Sequence, residues 1–253
     1  PNPCVLCNTH IKWSALLKRA DAMDCEFIAT GHYAQLNQTD AGRWHVQKSA
    51  DSNKDQSYVL WGLSQECMAR SRFPLGHMTK PEVRQLAYDW GHEELSKKAE
   101  SFEICFVPDN DYRGFLKRRL HELEAKVGVG EFVSVDGKTM ANHAGYPFYT
   151  IGQRKGLGIA FGEPMYVTKI DAATNQVTLG RMEDLIRNGM MIGGATLQKY
   201  DKLPDTGMEL LTKVRYKDSG TLSLVEQIGD ANDRFAIDFY AEVRGVAPGQ
   251  SAV

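Results

Sequence analysis

The change of pattern near residue 125 constrains this chain more than any other feature. Before it, short apolar runs alternate with segments of helical period. After it, glycine and β-forming residues dominate and no long helical pattern appears. Alternation of strands and helices over about the first hundred residues predicts an α/β layer on a parallel sheet. Short strands with frequent turn signals after it predict mostly β domains. With 253 residues the chain has room for two or three domains and a sizeable core. The first residues, without an initiator Met, read like the middle of a loop, and the last resemble the inside of a strand. The expectation is a piece of a longer protein.

Charge and composition narrow the classes. Net charge is −2 and charged residues are 25 % of the chain, so nucleic acid would have to bind through local basic patches. No apolar run reaches the length of a membrane span and no secretory signal is visible. Five cysteines, Cys4, Cys7, Cys25, Cys67 and Cys105, are too few and too irregular for a secreted disulfide framework, which favours a reducing cytoplasm.

Along the chain, Pro1 to His10 place Cys4 and Cys7 three residues apart behind Asn2-Pro3. Trp13, Leu16, Leu17 and Ala20 follow at helical spacing. With Asn8 or Thr9 as N-cap, Cys7 would stand at a helix N-terminus, where free N–H groups favour a thiolate. A reactive thiol, half a zinc site and two small buried hydrophobes remain open readings of Cys4 and Cys7. Cys25–Thr30 predicts a buried strand ending in Gly31-His32-Tyr33, the kind of sheet edge where ligands bind. Tyr33–Leu36 and Arg43–Lys48 predict a hairpin. Asp55 is a plausible N-cap for a helix from Ser57 to Ala69. Thr79 and Glu82 form a capping box for a helix burying Val83, Leu86, Ala87 and Trp90. Cys105, between Ile104 and Phe106, reads as a packed thiol at a strand end. Asn110–Glu122 predicts a helix whose Lys117-Arg118-Arg119 suits a solvated or a phosphate-contacting face. Glu131–Val135 with Lys138–Met140, and Met165–Ile170 with Gln176–Gly180, predict hairpins. Between them Tyr149–Gly158 is a basic glycine-rich loop without the spacing of a P-loop or dinucleotide fingerprint. Leu210–Tyr216, Gly220–Val225, Arg234–Phe239 and a segment after Gly249 predict further strands.

In order, the fragments Asn2-Pro3-x-x-x-Cys7-Asn8, Gly31-His32-Tyr33-Ala34, Lys54-Asp55-Gln56-Ser57-Tyr58, Phe73-Pro74-Leu75-Gly76, Ile104-Cys105-Phe106 and Tyr149-Thr150-Ile151-Gly152-Gln153-Arg154-Lys155-Gly156-Leu157-Gly158 resemble the bacterial tRNA-specific 2-thiouridylase family across essentially the whole chain. The resemblance implies an incomplete N-terminal nucleotide-binding α/β domain with a parallel sheet (residues 1–111), of the adenine-nucleotide α-hydrolase-like kind. A small, mostly β central domain (112–187) and a C-terminal antiparallel β-barrel (188–253) follow. It implies ATP, with Mg2+, as a substrate rather than a tightly bound cofactor. The uracil carbonyl of tRNA position 34 would be adenylated and its oxygen replaced by sulfur, releasing AMP and pyrophosphate.

By that resemblance Cys7 is the nucleophile and Cys105 carries the persulfide, with a transient Cys7–Cys105 disulfide left after transfer. Gly31 contacts nucleotide. Asn2, Pro3 and Cys4 flank the target base. His32, Lys54, Asp55, Gln56, Arg215, Tyr216 and Gln250 contact tRNA, with Arg154 and Lys155 as further cations. Implied partners are tRNA, by family preference the Lys, Glu and Gln isoacceptors, and a persulfide sulfur-donor protein; no metal is expected. The target base would be flipped out of its stack. Two departures stand out. The family's Ser-Gly-Gly-x-Asp-Ser pyrophosphate loop is absent, so the piece alone is expected to be inactive. Cys4 occupies a position where many members carry Asp. The alternatives are a noncatalytic RNA-binding fragment and a zinc-binding structural module.

Overall fold

The computed structural model describes residues 2–99, 105, 107, 109, 111–119, 127–229 and 233–253. By internal contacts it forms two compact units. One comprises 1–100, 191–237 and 249–253, the other 101–190 and 238–248.

The first unit opens with a continuous helical run: α1 (Pro3–Leu6), a π-helical segment Cys7–Lys12, and α2 (Trp13–Ala22). Its start corrects the expected N-cap. Asn2 caps it, accepting the Cys4 N–H at 2.9 Å, and Pro3 takes the first helical position, where its missing N–H costs nothing. The Asn-Pro pair therefore begins a helix rather than a loop, and Cys7 lies in the second turn. In the π-helical segment the Trp13 N–H reaches back five residues to the Asn8 carbonyl.

The predicted strand 25–30 shortens to β1 (Ile28–Ala29), parallel to β4 (Ser71–Arg72). β2 (Ala34–Gln38) and β3 (Trp44–Lys48) form the expected antiparallel hairpin. The expected helix 57–69 is broken into a 3-10 turn Ser57–Leu60 and α3 (Gln65–Ala69). Gly62 lies between them. A Cβ there would strike the Thr9 side chain, so the glycine admits the helical run at that point. α4 (Lys80–Asp89) begins at the predicted box, with the Thr79 N–H and hydroxyl both donating to Glu82 Oε2 at 2.6 and 2.8 Å. Its supposed buried face is only half-buried, and Trp90 is 70 % exposed. α5 (Glu93–Lys97) follows. The core gathers Val5, Trp13, Tyr58, Leu60, Leu63 and Met68.

α6 (Tyr112–Arg119) lies in the second unit, within the span predicted helical. β5 (Gly130–Ser134), β6 (Thr139–His143), β7 (Tyr166–Asp171) and β8 (Gln176–Gly180) make a sheet in the order β6-β5-β8-β7. Both predicted hairpins are antiparallel, and β5 joins β8 in parallel. Phe132, Tyr149, Leu157, Val167, Val177 and Leu179 fill its core. β9 (Ile186–Gly193), β10 (Met208–Thr212), β11 (Thr221–Gln227) and β12 (Arg234–Arg244) form a further sheet in the order β10-β11-β12-β9, with β10 and β11 antiparallel. The segment after Gly249 is not a regular strand, although Val253 exchanges two backbone bonds with Lys213 at 2.7 and 2.9 Å.

Gln198 attaches the late segment of the first unit to its early part. Its Oε1 accepts the Val46 N–H at 3.0 Å, while Nε2 donates to the carbonyls of Leu60 and Trp61 at 3.1 and 3.0 Å. Arg43 donates to the carbonyls of Leu197 and Gln198 and pairs with Asp201. Gln65 adds bonds to Trp44 and to the Gln198 carbonyl. Gln198→Ala leaves one N–H and two carbonyls without these partners. It is expected to destabilise the fold by about 1–3 kcal/mol, read as a lower urea midpoint with an unchanged slope.

Candidate thiol and tRNA-contact site

The helical run carrying the first two cysteines packs on the 3-10 turn Ser57–Leu60. Asn8 Nδ2 donates to the Val59 carbonyl at 3.2 Å, and Val5 is buried. Asn8 Oδ1 is buried with no hydrogen-bond partner among the described residues. Cys4 is exposed in the first turn and Cys7 half-buried in the second; all five cysteines are thiols. Cys7 belongs to the first unit and Cys105 to the second. Cys105 is exposed in a turn rather than packed at a strand end; Ile104 and Phe106 lie outside the described residues. Among those residues no group of three His, Cys, Asp or Glu side chains could hold a metal ion.

The Gly31-His32-Tyr33 segment follows β1 and lies against the same helical run. The His32 ring is 5.5 Å from Trp13 and 6.0 Å from Phe73, and its Nδ1 is 2.9 Å from Thr30 Oγ1. Burial, and secondarily the charge of Lys12, push the imidazole down to about 4, so it is neutral at physiological pH. His32 offers a hydrogen bond there rather than a positive charge. Gly31 has neither a left-handed backbone nor a crowded neighbourhood: a Cβ would meet only Leu75 Cδ1, at an ordinary 3.6 Å. Nothing in the packing demands glycine there. At Gly76, by contrast, a Cβ would collide with the Ala34 carbonyl.

The residues named for tRNA contact come together from three parts of the first unit. Asp55 accepts the N–H groups of Ser49 and Ser57 and the Ser57 hydroxyl, so its carboxylate shapes the loop, as a cap would. Gln56 and Tyr33 exchange two bonds, the Tyr33 N–H to Gln56 Oε1 at 3.0 Å and the Gln56 N–H to the Tyr33 carbonyl at 2.8 Å. Tyr58 stands edge-on to Tyr216, centroids 6.2 Å apart, and its hydroxyl donates to the Ser251 carbonyl at 2.7 Å, next to Gln250. Burial and then the Asp55 charge push the Tyr216 phenol up, with Lys54 opposing. Burial and then Asp218 do the same to Tyr58, with Arg215 opposing. Tyr216 and Arg215 thus lie near Tyr58, Lys54 and Asp55 near Tyr216, and Gln250 precedes the residue whose carbonyl Tyr58 holds; no sequence signal singles out the Tyr58 side chain.

Arg154 and Lys155 belong to the second unit. Both are exposed on the glycine-rich loop, which is fixed by the Gly152 N–H to the Val167 carbonyl at 2.7 Å and the Val167 N–H to the Gln153 carbonyl at 3.0 Å. Arg154 also borders an open cleft of about 340 Å³ lined by Leu157, Phe161 and Met165.

A parallel strand pair and a cysteine-bearing helical run, followed along the chain by a small β sheet, place the chain in a class that joins an α/β domain to β domains. Residues 1–109 match the family model described as the tRNA methyl transferase HUP domain, and 113–181 that of the tRNA methyl transferase PRC-barrel domain. The chain is 55 % identical over its full length to the tRNA-specific 2-thiouridylase MnmA of Cytophaga hutchinsonii, covering 68 % of that protein. It is 54 % identical to that of Amoebophilus asiaticus, covering 66 %, and 41 % identical to that of Carboxydothermus hydrogenoformans, covering 68 %. It spans about two thirds of the length of these relatives. The chain belongs to the tRNA-specific 2-thiouridylase family.

The low basicity of His32 has a thermodynamic consequence. Its folded value lies below the ordinary 6.5, so between these values the unfolded chain binds the extra proton. The stability contributed by neutral His32 is present above pH 6.5 and is lost as pH falls toward 4. Denaturant titrations of the wild type and His32→Gln across this window are expected to diverge in slope, by up to one proton, with the variant flatter.

Proposed function

We propose that this chain is the larger part of a tRNA-uridine 2-sulfurtransferase that uses ATP to replace the 2-oxygen of the wobble uridine by sulfur. The observation that carries the reading is identity of 55 % over all 253 residues to a protein named for that reaction. The family models are described by methyl transfer, but the relatives by 2-thiolation. Thiols at both Cys7 and Cys105 suit the carriage of sulfur.

In this reading the uracil O2 attacks the α-phosphorus of ATP and pyrophosphate leaves. The oxygen then departs as part of AMP, a far better leaving group than hydroxide. The terminal sulfur of a Cys105 persulfide, delivered by a donor protein, replaces it either directly or as hydrosulfide released by Cys7. The two electrons of the S–S cleavage stay with the transferred sulfur, and Cys7 and Cys105 are left as a disulfide. A dithiol reductant then restores both thiols. Gly31 gives the nucleotide close backbone approach, consistent with the absence of any internal demand for glycine there. Mg2+ would arrive on the ATP phosphates. Asn2, Pro3 and Cys4 lie beside the flipped base. Lys54, Arg215, Tyr216 and Gln250 hold tRNA at the surface around Tyr58, His32 adds a neutral hydrogen bond, and Asp55 and Gln56 keep the loop in shape. The substrates are wobble-uridine tRNAs of the Lys, Glu and Gln type, the setting the cytoplasm. No helix among the described residues is long and apolar enough to cross a membrane. The sequence divides into functional segments 1–111, 112–187 and 188–253.

The test is nucleoside mass spectrometry on unmodified tRNA incubated with the full-length protein, ATP and a persulfide donor. 2-Thiouridine is expected, and Cys7→Ser or Cys105→Ser should each reduce it to background; undiminished product in either variant refutes that residue's role. Gly31→Ala should fold normally and raise the KM for ATP about tenfold, the equivalent of about 1.4 kcal/mol.

A further inference from the structure

Cys4 and Cys7 stand in successive turns of one helical run, and the backbone joins them directly. The Cys7 N–H donates to the carbonyls of both Pro3 and Cys4. The second of these bonds spans three residues, so the turn between the two cysteines is tightened toward 3-10 geometry. In such a turn the side chains at i and i+3 eclipse. Helical side chains at this spacing have Cβ atoms about 5–6 Å apart, and a disulfide needs about 3.5–4.5 Å. A shift of about 1–2 Å at one partner closes the gap.

Cys4 is the partner placed to shift. It is exposed in the first turn, so its movement displaces no core residue. Cys7 is held from behind. Asn8 donates to the Val59 carbonyl at 3.2 Å, and the Thr9 side chain fills the space where Gly62 lacks a Cβ. Two plainer readings of the pair meet obstacles. Packed small hydrophobes would both be buried, and Cys4 is not. A zinc site finds no third His, Cys, Asp or Glu ligand among the described residues. What remains is an asymmetric pair of thiols, one half-buried and one open to a reductant in solution.

We propose that Cys4 and Cys7 are a dithiol–disulfide pair, in which Cys4 resolves the disulfide left on Cys7 by sulfur transfer. The place of the pair in the reaction rests on the sulfurtransferase reading above; the pairing itself rests on the helix. The Cys4 thiol loses its proton to solvent and its thiolate attacks Cys7 Sγ of the Cys7–Cys105 disulfide. The old S–S bond breaks, and its electron pair leaves with Cys105, which regains a proton. The new Cys4–Cys7 disulfide presents the exposed Cys4 sulfur. An external dithiol attacks there, is itself oxidised to a disulfide, and returns both cysteines to thiols. Cys105 is thus released for the next sulfur before the reductant acts.

The first experiment needs no tRNA. The full-length protein is equilibrated in glutathione buffers of rising oxidised fraction, quenched in acid, alkylated and mapped by mass spectrometry. Cys4 and Cys7 should lose alkylation together, as an internal disulfide of the peptide that carries both. Cys25, also exposed, should pair only with glutathione. Separate oxidation of Cys4 and Cys7, each carrying glutathione, overturns the pairing. The second experiment follows repeated turnovers with ATP, a persulfide donor, unmodified tRNA and limiting dithiol. Cys4→Ser and Cys4→Asp should both accumulate the Cys7–Cys105 disulfide and slow later turnovers about tenfold relative to the first. Later turnovers restored by Cys4→Asp but not by Cys4→Ser would show that Cys4 replaces an acid, and the resolving role falls. If 2-thiouridine forms while only Cys7–Cys105 is trapped in the wild type, the transfer reading stands and resolution by Cys4 is refuted. If no 2-thiouridine forms but the glutathione titration shows the internal disulfide, the transfer reading falls and the pairing stands.

Discussion

The side-chain amide of Gln198 is the contact on which the architecture of the first unit most depends. One residue supplies an acceptor to β3 and two donor bonds to the end of the 3-10 turn at Leu60 and Trp61. The Leu60 carbonyl otherwise has the turn bond from the Leu63 N–H at 3.2 Å, and a buried peptide group left unpaired is costly. The segment around Gln198 therefore acts as the missing neighbour of an irregular edge. Arg43 closes the arrangement from the other side through the Leu197 and Gln198 carbonyls. The same turn receives the cysteine-bearing helical run, through Asn8 and Val59. A late piece of the chain thus stabilises the element on which the thiols rest.

What sequence revealed of this follows the range of the interactions. The Thr79–Glu82 box, the 34–48 hairpin and the two hairpins of the second unit rest on contacts a few residues long, and their residues state them directly. The start of the first helix is also local, yet its residues point two ways. Asn2-Pro3 looks like a turn, but Asn before Pro is equally an N-cap before a first helical residue. The apolar period from Trp13 alone places the start later than the Asn2 cap does. The break at Gly62 depends on Thr9, fifty-three positions earlier, and no periodicity displays it. Gln198 carries no signal at all, because a glutamine that satisfies three backbone groups looks like any surface glutamine. The predicted tRNA-contact residues are legible only as a set of motifs; the proximity of Lys54, Asp55, Arg215 and Tyr216 is a property of the fold.

The placement also separates two kinds of polar residue within those motifs. Asp55 and Gln56 spend their hydrogen-bonding capacity on Ser49, Ser57 and Tyr33. Replacing either would change the loop before it changed any contact with RNA. His32, similarly, is held among aromatic rings and Thr30 in its neutral form. Lys54, Arg215 and Tyr216 contribute charge and a protonated phenol at the same place. In the proposed function, recognition by this group would rest on a few charges on a loop shaped by its own neighbours, as in RNA recognition through shape and backbone.

Cys4 acquires its meaning from the corrected helix start. It sits in the first turn, its N–H held by Asn2, while Cys7 lies one turn on, where the helix widens into its π-helical segment. Such widenings displace the following side chains from the register of an ideal helix and recur at functional sites. Val5 and Trp13, on either side of the π-helical segment, both reach the core, and Asn8 within it donates to the Val59 carbonyl. Cys4 thus stands at the helix-terminal position, where the N–H groups and the macrodipole favour negative charge. A carboxylate there carries its charge outright, whereas a thiol acquires one only on ionisation. The helix terminus provides the same electrostatic bias to either side chain.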